Sequence, residues 1–214
     1  SKVEELSPTF SPTSSPEDRF FLTHDEVPIS CSPVTASTSK VCAPMWVRAG
    51  EYTLAHKWRD WALDQLGVPP TNLVVDLFAK AGNSLCPMAI PKHLDAFTFT
   101  WAKLLQGPNE ILWANPPFSL MGRVVAKLQV EPCRILLCCP VWHGAKWWDT
   151  LQPMITHHIL LPEGEPLFFG AVRKSILPPP EWRVMVCLVD STSYHGPPPR
   201  PQVLKWFREQ CEGK

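Results

Sequence analysis

Apolar residues recur at helical spacing between residues 54 and 66, and charged residues fill many of the positions between them. The apolar positions of this window are Leu54, Trp58, Trp61, Ala62 and Leu66. This spacing predicts an amphipathic helix with one face turned to the core. Gly67 and Pro69 follow directly, as is common where a helix ends.

Short apolar runs bounded by proline, glycine and polar residues predict buried strands elsewhere. The predicted strands are 73–78, a run from 111 that ends at Asn115, 135–139, 158–161, 167–169 and 182–189. The predicted helices are 119–128, 146–154 and 203–211, with 94–106 helical or mixed. Because apolar strands alternate with helices, the sequence predicts an α/β fold with a mostly parallel sheet and helices on both faces.

The first 44 residues differ in composition from the rest of the chain. They are rich in serine, threonine and proline and poor in large aliphatic residues. Such a segment buries too little apolar surface to offset the entropy lost on ordering. We therefore expect a disordered tail or inter-domain linker over residues 1–44, followed by one α/β domain over residues 45–214.

Composition and charge narrow the class of protein. Of the 214 residues 45% are hydrophobic, and the 20 basic and 20 acidic residues cancel, so net charge does not indicate a polyanionic partner. Several of the eight cysteines lie in apolar segments and no secretory signal is seen, which favours reduced thiols in an intracellular protein, nuclear or cytoplasmic. Neither a membrane-spanning run nor zinc-ligand spacing occurs, so we expect no membrane and no metal.

The segment from Asn115 to Phe118 is the strongest candidate for chemistry. It follows a strand, and strand ends build the ligand crevice of open α/β sheets. The Asn115 carboxamide oxygen and the Pro116 carbonyl can accept hydrogen bonds from a planar amine. Pro116 and Pro117 stiffen the turn, and Phe118 offers a stacking face for a base. The alternative is a proline-stiffened turn without function, since proline pairs occur elsewhere in the chain.

An ordered series of short motifs runs along the chain from Asp76 to Trp182. In order come Asp76-Leu77-Phe78-Ala79, Asn83, Asp95-Ala96-Phe97, Trp101, Asn115-Pro116-Pro117-Phe118, the strand at 135–139 with Pro140 and Trp142, Trp147-Trp148 and a last strand from Trp182. The set resembles the phage-type adenine-N6 DNA methyltransferase family. It is still more similar to the related domain that DIRS-like retroelements carry downstream of their reverse transcriptase and ribonuclease H. The similarity covers about residues 54 to 190.

The resemblance implies a Rossmann-like methyltransferase fold that uses S-adenosylmethionine to methylate the exocyclic amine of adenine in DNA. In the family, the Asn-Pro-Pro-aromatic motif holds the flipped adenine. That role falls here to Asn115, Pro116, Pro117 and Phe118. DNA is then the partner, together with other domains of a retroelement polyprotein.

On the cofactor side, the resemblance places Asp76 and Phe78 at the end of the first cofactor strand and makes Asp95 a candidate cofactor contact. Asp76 can equally be a turn former at a strand end, and Asp95 can be a helix N-cap. The family has glycines immediately after this strand, whereas two other residues precede Gly82 here. This departure favours a rival function, a catalytically degenerate retroelement module that acts in nucleic-acid binding or assembly. Methylation of another amine, such as protein glutamine or a different base, also stays open.

Three tryptophans and a thiol complete the candidates. Trp142, Trp147 and Trp148 either line a base or DNA channel or belong to the core, and we expect at least two of them in the core. Cys139 with His143 could suggest a thiol nucleophile, but an apolar strand is a poor place to lower a thiol pKa.

Overall fold

A computed structural model describes residues 52–79, 84–90, 94–170 and 175–198, together with residues 201 and 205. The predicted tail at 1–44 lies outside the described residues, as does nearly all of the predicted last helix at 203–211.

Short strands and helices alternate along the described chain. The strands are β1 (Tyr52–Leu54), β2 (Leu73–Asp76), β3 (Met88–Ala89), β4 (Ile111–Ala114), β5 (Arg134–Pro140), β6 (Ile155–Leu160), β7 (Phe168–Gly170) and β8 (Val184–Asp190). The α-helices are α1 (His56–Leu66), α2 (Met121–Val130) and α3 (Trp148–Leu151). Five 3-10 turns of the described chain are Pro70–Asn72, Ala96–Thr98, Trp101–Leu104, Phe118–Leu120 and Gln152–Met154. The predicted α/β fold is confirmed.

Six strands of the described chain form one sheet in the order β3-β2-β4-β5-β8-β6, and β1 pairs separately with β7. Neighbours from β3 to β5 are parallel, whereas β8 runs antiparallel to both β5 and β6. The sheet is therefore mostly parallel, as predicted, with β8 reversed. Because β3 follows β2 on one side and β4 lies on the other, the strand order reverses at β2. Open α/β sheets form their ligand crevice at the carboxyl edge beside such a reversal.

Each face of the sheet buries its own core. Along β5, Leu136 and Cys138 lie in one core, and the residues that alternate with them lie in the other. Helix α1 packs Ala62 and Leu63 into the first core, whereas α2 and α3 pack into the second. Since side chains alternate across a strand, the two clusters lie on opposite faces, and helices cover both faces as predicted.

Helix α1 begins two residues later than the apolar spacing predicted. Leu54 is fully buried, but it ends β1 rather than beginning the helix. The β1–β7 pairing extends through Ala55, whose N–H donates to the Leu167 carbonyl at 2.9 Å, so tertiary pairing overrides the helical period here. The predicted end is correct, because Gly67 closes the helix with a left-handed φ of 63°.

Three other predicted elements need correction. Residues 94–106 form two separate 3-10 turns, and the predicted helix at 146–154 is only the four-residue α3 followed by a 3-10 turn. Strand β6 starts at Ile155, three residues before the predicted start. Thr156, His157 and His158 are exposed because β6 is an edge strand of the described sheet, so no apolar run marks its first half.

Candidate active site

Asp76 and Asn115 lie at the same edge of the sheet. Asp76 is the last residue of β2, and Asn115 follows the last residue of β4. The two strands are parallel neighbours, with Asp76 paired to Trp113. Leu77 N–H also donates to the Trp113 carbonyl at 2.9 Å. The structure thus brings two of the predicted site residues to the carboxyl edge at which the strand order reverses.

Asn115 holds an unused acceptor inside the protein. The residue is 8% exposed, and its carboxamide oxygen is buried without a hydrogen-bond partner among the described residues. A buried acceptor left unsatisfied costs about 1–3 kcal/mol, and native structures contain few of them. Two residues earlier, the Trp113 indole N–H is likewise buried without a partner in the described part of the chain. The oxygen is closed off from solvent, so the donor of a ligand would reach it only after the residues around it move.

The turn after Asn115 is hydrogen-bonded to Tyr52, a residue distant in sequence that the sequence analysis did not single out. The Tyr52 hydroxyl donates to the Pro116 carbonyl oxygen at 3.2 Å and accepts from the Phe118 N–H at 2.9 Å. One lone pair of the Pro116 carbonyl is therefore already used, and a carbonyl oxygen has two. The second belongs to a residue that is itself buried, and it is the acceptor on which the sequence prediction depends.

Phe118 is packed among other aromatic rings. Its ring centroid lies 4.7 Å from that of Tyr52, 6.2 Å from Phe168, 5.7 Å from Trp142 and 5.9 Å from Trp182. Only 9% of the residue is exposed, so these rings cover most of the face predicted to stack on a base. Trp142 and Trp182 themselves are half-buried and lie 5.8 Å apart. Tyr52 is half-buried as well, so the solvent side of this aromatic cluster includes the two tryptophans and Tyr52.

The other two tryptophans of the predicted trio belong to the core. Trp147 is 4% exposed and Trp148 is 7% exposed, and both lie in the core that contains α2. The prediction that at least two of the three are core residues is confirmed. Trp142, the third of the trio, contacts Phe118 with ring centroids 5.7 Å apart.

The Asp76 carboxylate is bound to the loop that follows β2. It accepts the Phe78 N–H at 3.2 Å and the Leu85 N–H at 3.1 Å, and 3% of the residue is exposed. Burial raises the pKa of Asp76 to about 6, although the main-chain N–H groups and the charge of Arg59 act in the opposite direction. The Asp76 side chain thus organises the loop by binding main-chain N–H groups of the loop, which is the turn-forming alternative that the sequence left open.

Phe78 and Asp95 lie beside this loop, and their contacts are structural. The half-buried Phe78 ring packs against Phe97 and Trp101, with centroids 5.7 and 6.4 Å apart. The Asp95 carboxylate accepts the Phe97 N–H at 3.0 Å, so it caps the 3-10 turn, the alternative that the sequence left open. Its other oxygen lies 3.2 Å from the Arg123 guanidinium, and 42% of the Asp95 side chain stays exposed.

Thiols and metal ligands add nothing to this edge. Burial raises the pKa of the Cys139 thiol well above its usual value, which argues against a thiolate nucleophile, as expected. Across the described residues, no group of three or more His, Cys, Asp and Glu side chains could hold a metal ion. The same part of the chain contains no helix with the length and apolarity that crossing a bilayer requires.

Tyr52 and Trp182 are the residues of this site that the sequence analysis missed. Tyr52 lies just before the segment covered by the motif resemblance and belongs to a strand of only three residues. The single signal available was its rarity, because the chain has two tyrosines. Trp182 was assigned to a strand, but it lies before β8 begins.

Comparison with protein-family models, curated proteins and solved structures gives no match of any of the three kinds. Function is therefore inferred from the side chains around Asn115 and from the ordered motifs of the sequence.

Proposed function

We propose that this chain transfers a methyl group from S-adenosylmethionine to the exocyclic amine of adenine in DNA, on a Rossmann-like methyltransferase fold. The observation that carries the proposal is the buried carboxamide oxygen of Asn115, which has no hydrogen-bond partner among the described residues. It lies at the sheet edge where ligands of open α/β sheets bind. An amino group is the donor that such an oxygen would accept.

The strand order supports the proposed fold. Rossmann-like sheets are open, mostly parallel and change strand order at a switch point. Here the neighbours from β3 to β5 are parallel, the order changes at β2, and β8 runs antiparallel between β5 and β6. The ordered motifs of the sequence favour the same fold.

Asn115 and Pro116 would act on the amine itself. The lone pair of an exocyclic amine is conjugated with the ring, so the nitrogen is a poor nucleophile. Two acceptors directed at its N–H groups favour a tetrahedral nitrogen and stabilise the positive charge that develops there. The Asn115 oxygen supplies one acceptor and the second lone pair of the Pro116 carbonyl supplies the other. Neither group is a base at neutral pH, so the proton leaves the methylated nitrogen to water.

The cofactor would lie at the end of β2, beside the amine. Asp76 and Asn115 end neighbouring strands, so a group held by the loop after β2 is next to the acceptors of the turn after β4. The main chain from Leu77 to Ala79 and the half-buried Phe78 ring would hold it, with Asp95 as a further contact through its exposed part. S-adenosylmethionine supplies an electrophilic methyl group on a sulfonium sulfur.

A second function is favoured by one observation. The aromatic cluster covers Phe118 to 9% exposure, and a catalytically degenerate module would have no use for an open stacking face. Such a module would serve in nucleic-acid binding or assembly. The unpartnered oxygen of Asn115 favours the enzyme, because a degenerate site has no reason to keep the cost of burying it.

Calorimetric titration of the full chain with S-adenosylmethionine separates the two functions. The enzyme predicts saturable binding, and it predicts transfer of a labelled methyl group to DNA that lacks adenine methylation. Asn115→Ala should keep cofactor binding and lose transfer, whereas Asn109→Ala, in an exposed turn, should keep both. An absence of saturable binding by the wild-type chain would rule out the enzyme and leave the degenerate module.

A further inference from the structure

We propose that Tyr52 is a positioning residue, whose hydroxyl fixes the Asn115–Phe118 turn in the geometry that methyl transfer requires. This inference rests on the proposed function and extends it to a residue outside the motif.

The Tyr52 hydroxyl bridges Pro116 and Phe118, two residues of the turn. It donates to the Pro116 carbonyl at 3.2 Å and accepts the Phe118 N–H at 2.9 Å. Pro116 and Pro117 have no N–H, so Phe118 is the first residue of the turn that can donate after Asn115. Its N–H is used by a side chain 66 residues away rather than by the turn itself. A phenol hydroxyl is suited to this because it donates and accepts at once.

Tyr52 is itself held in place before any substrate binds. It pairs with Gly170 in the sheet of β1 and β7, and its ring packs against those of Phe118 and Phe168 at 4.7 and 5.0 Å. The hydroxyl is thus presented by a strand rather than by a free loop. Preorganisation of this kind lowers the entropy cost of reaching the reactive geometry.

The bridge determines where the second acceptor of the site points. The Pro116 carbonyl has two lone pairs, and the hydrogen bond from Tyr52 uses one of them. The direction of the other is then fixed relative to Asn115, the preceding residue. Without the hydroxyl the Pro116 carbonyl and the Phe118 N–H both lose a hydrogen-bond partner, and the turn keeps only the stiffness that its two prolines give it. A misplacement of about 1 Å costs about 10²-fold in rate.

Tyr52→Phe tests this role because it removes the hydroxyl and keeps the ring. The chain offers a matched control in Tyr194, its other tyrosine, which is half-buried and packs against the core on the other face. We expect Tyr52→Phe to lower kcat for methyl transfer by about ten- to a hundredfold, with an unchanged Kd for S-adenosylmethionine. Tyr194→Phe should change neither. Amide hydrogen exchange at Phe118 should become faster in Tyr52→Phe alone.

A second measurement tests the same role if Tyr52→Phe fails to fold. In the Tyr194→Phe background Tyr52 is the sole tyrosine, so incorporated 3-fluorotyrosine labels one position. The fluorine makes the hydroxyl a stronger donor and a weaker acceptor, and the inference expects a changed kcat with unchanged cofactor affinity. If the wild-type chain transfers methyl groups and neither Tyr52→Phe nor 3-fluorotyrosine at position 52 changes kcat, the role of Tyr52 is overturned and the proposed function stands. Absence of transfer and of cofactor binding in the wild-type chain instead overturns the proposed function, and the role of Tyr52 with it.

Discussion

Asn115→Ala is expected to separate activity from stability, because the oxygen that it removes forms no hydrogen bond with the described residues. In the folded protein that oxygen costs about 1–3 kcal/mol, and the substitution recovers this cost. Asn115 is also packed, since 8% of the residue is exposed, and losing the contacts of its carboxamide costs about 1 kcal/mol. The two effects offset each other, so the free energy of unfolding should stay within about 1 kcal/mol of wild type or rise.

The same substitution should be severe for transfer. Removing one group that stabilises transition-state charge costs about 10²–10³ in kcat, or about 3–4 kcal/mol. Urea denaturation and initial rates with labelled S-adenosylmethionine measure the two quantities, with Asn109→Ala as the exposed control. A loss of more than about 2 kcal/mol of stability would show that the oxygen is bonded inside the protein. A kcat within threefold of wild type would show that Asn115 does not act on the amine.

Three further substitutions test the surrounding structure. Burial raises the pKa of Asp76 from 3.8 to about 6, so the folded protein holds the proton more tightly than the unfolded chain, and the stability that this contributes is present below pH 4 and is lost as the pH rises through 6. Between pH 4 and pH 7 the free energy of unfolding of Asp76→Asn should therefore rise by about 3 kcal/mol relative to that of wild type. A difference that stays constant with pH in urea denaturation would refute this. The Lys127 side chain is 5% exposed, and its ammonium lies 2.5 Å from a carboxylate oxygen of Glu131. Glu131→Gln removes the charge that faces this buried ammonium and should cost about 3 kcal/mol of stability. Lys127→Met together with Glu131→Leu removes both charges and should recover most of that loss on thermal unfolding. Gly67 has a φ of 63° with open space around it, so Gly67→Ala should cost about 1 kcal/mol, whereas Gly144→Ala, without such a φ, should cost almost nothing by the same assay.

Elements buried on both faces were predictable from the sequence. The strands β2, β4 and β5 lie within or close to the apolar runs that predicted them, because both of their faces are buried. Only the second half of the edge strand β6 was predicted, because exposed polar residues occupy its first part. The reversal of β8 was not predictable, because a hydrophobic pattern carries no information on strand direction.

The sequence predicted the site residues that short sequence motifs mark, but not the contacts between residues that are far apart along the chain. Asn115 was found because it follows an apolar run, and Asp76 because the motif resemblance places it at the end of the first cofactor strand. Parallel neighbours bring such strand ends together. The hydrogen bond from Leu85 to Asp76 and the bridge from Tyr52 join residues 9 and 64 positions apart. No spacing in the sequence marks them. The burial of Phe118 by four rings depends on long-range packing in the same way.

The most direct measurement is nucleoside analysis by mass spectrometry of adenine-containing DNA after incubation with the full chain and S-adenosylmethionine. An acceptor at Asn115 that takes the exocyclic amine of adenine predicts N6-methyladenine as the product with the wild-type chain, and its near absence with Asn115→Ala. A wild-type chain that binds the cofactor yet forms no N6-methyladenine, or an Asn115→Ala chain that forms as much as wild type, would contradict the proposed role of this residue.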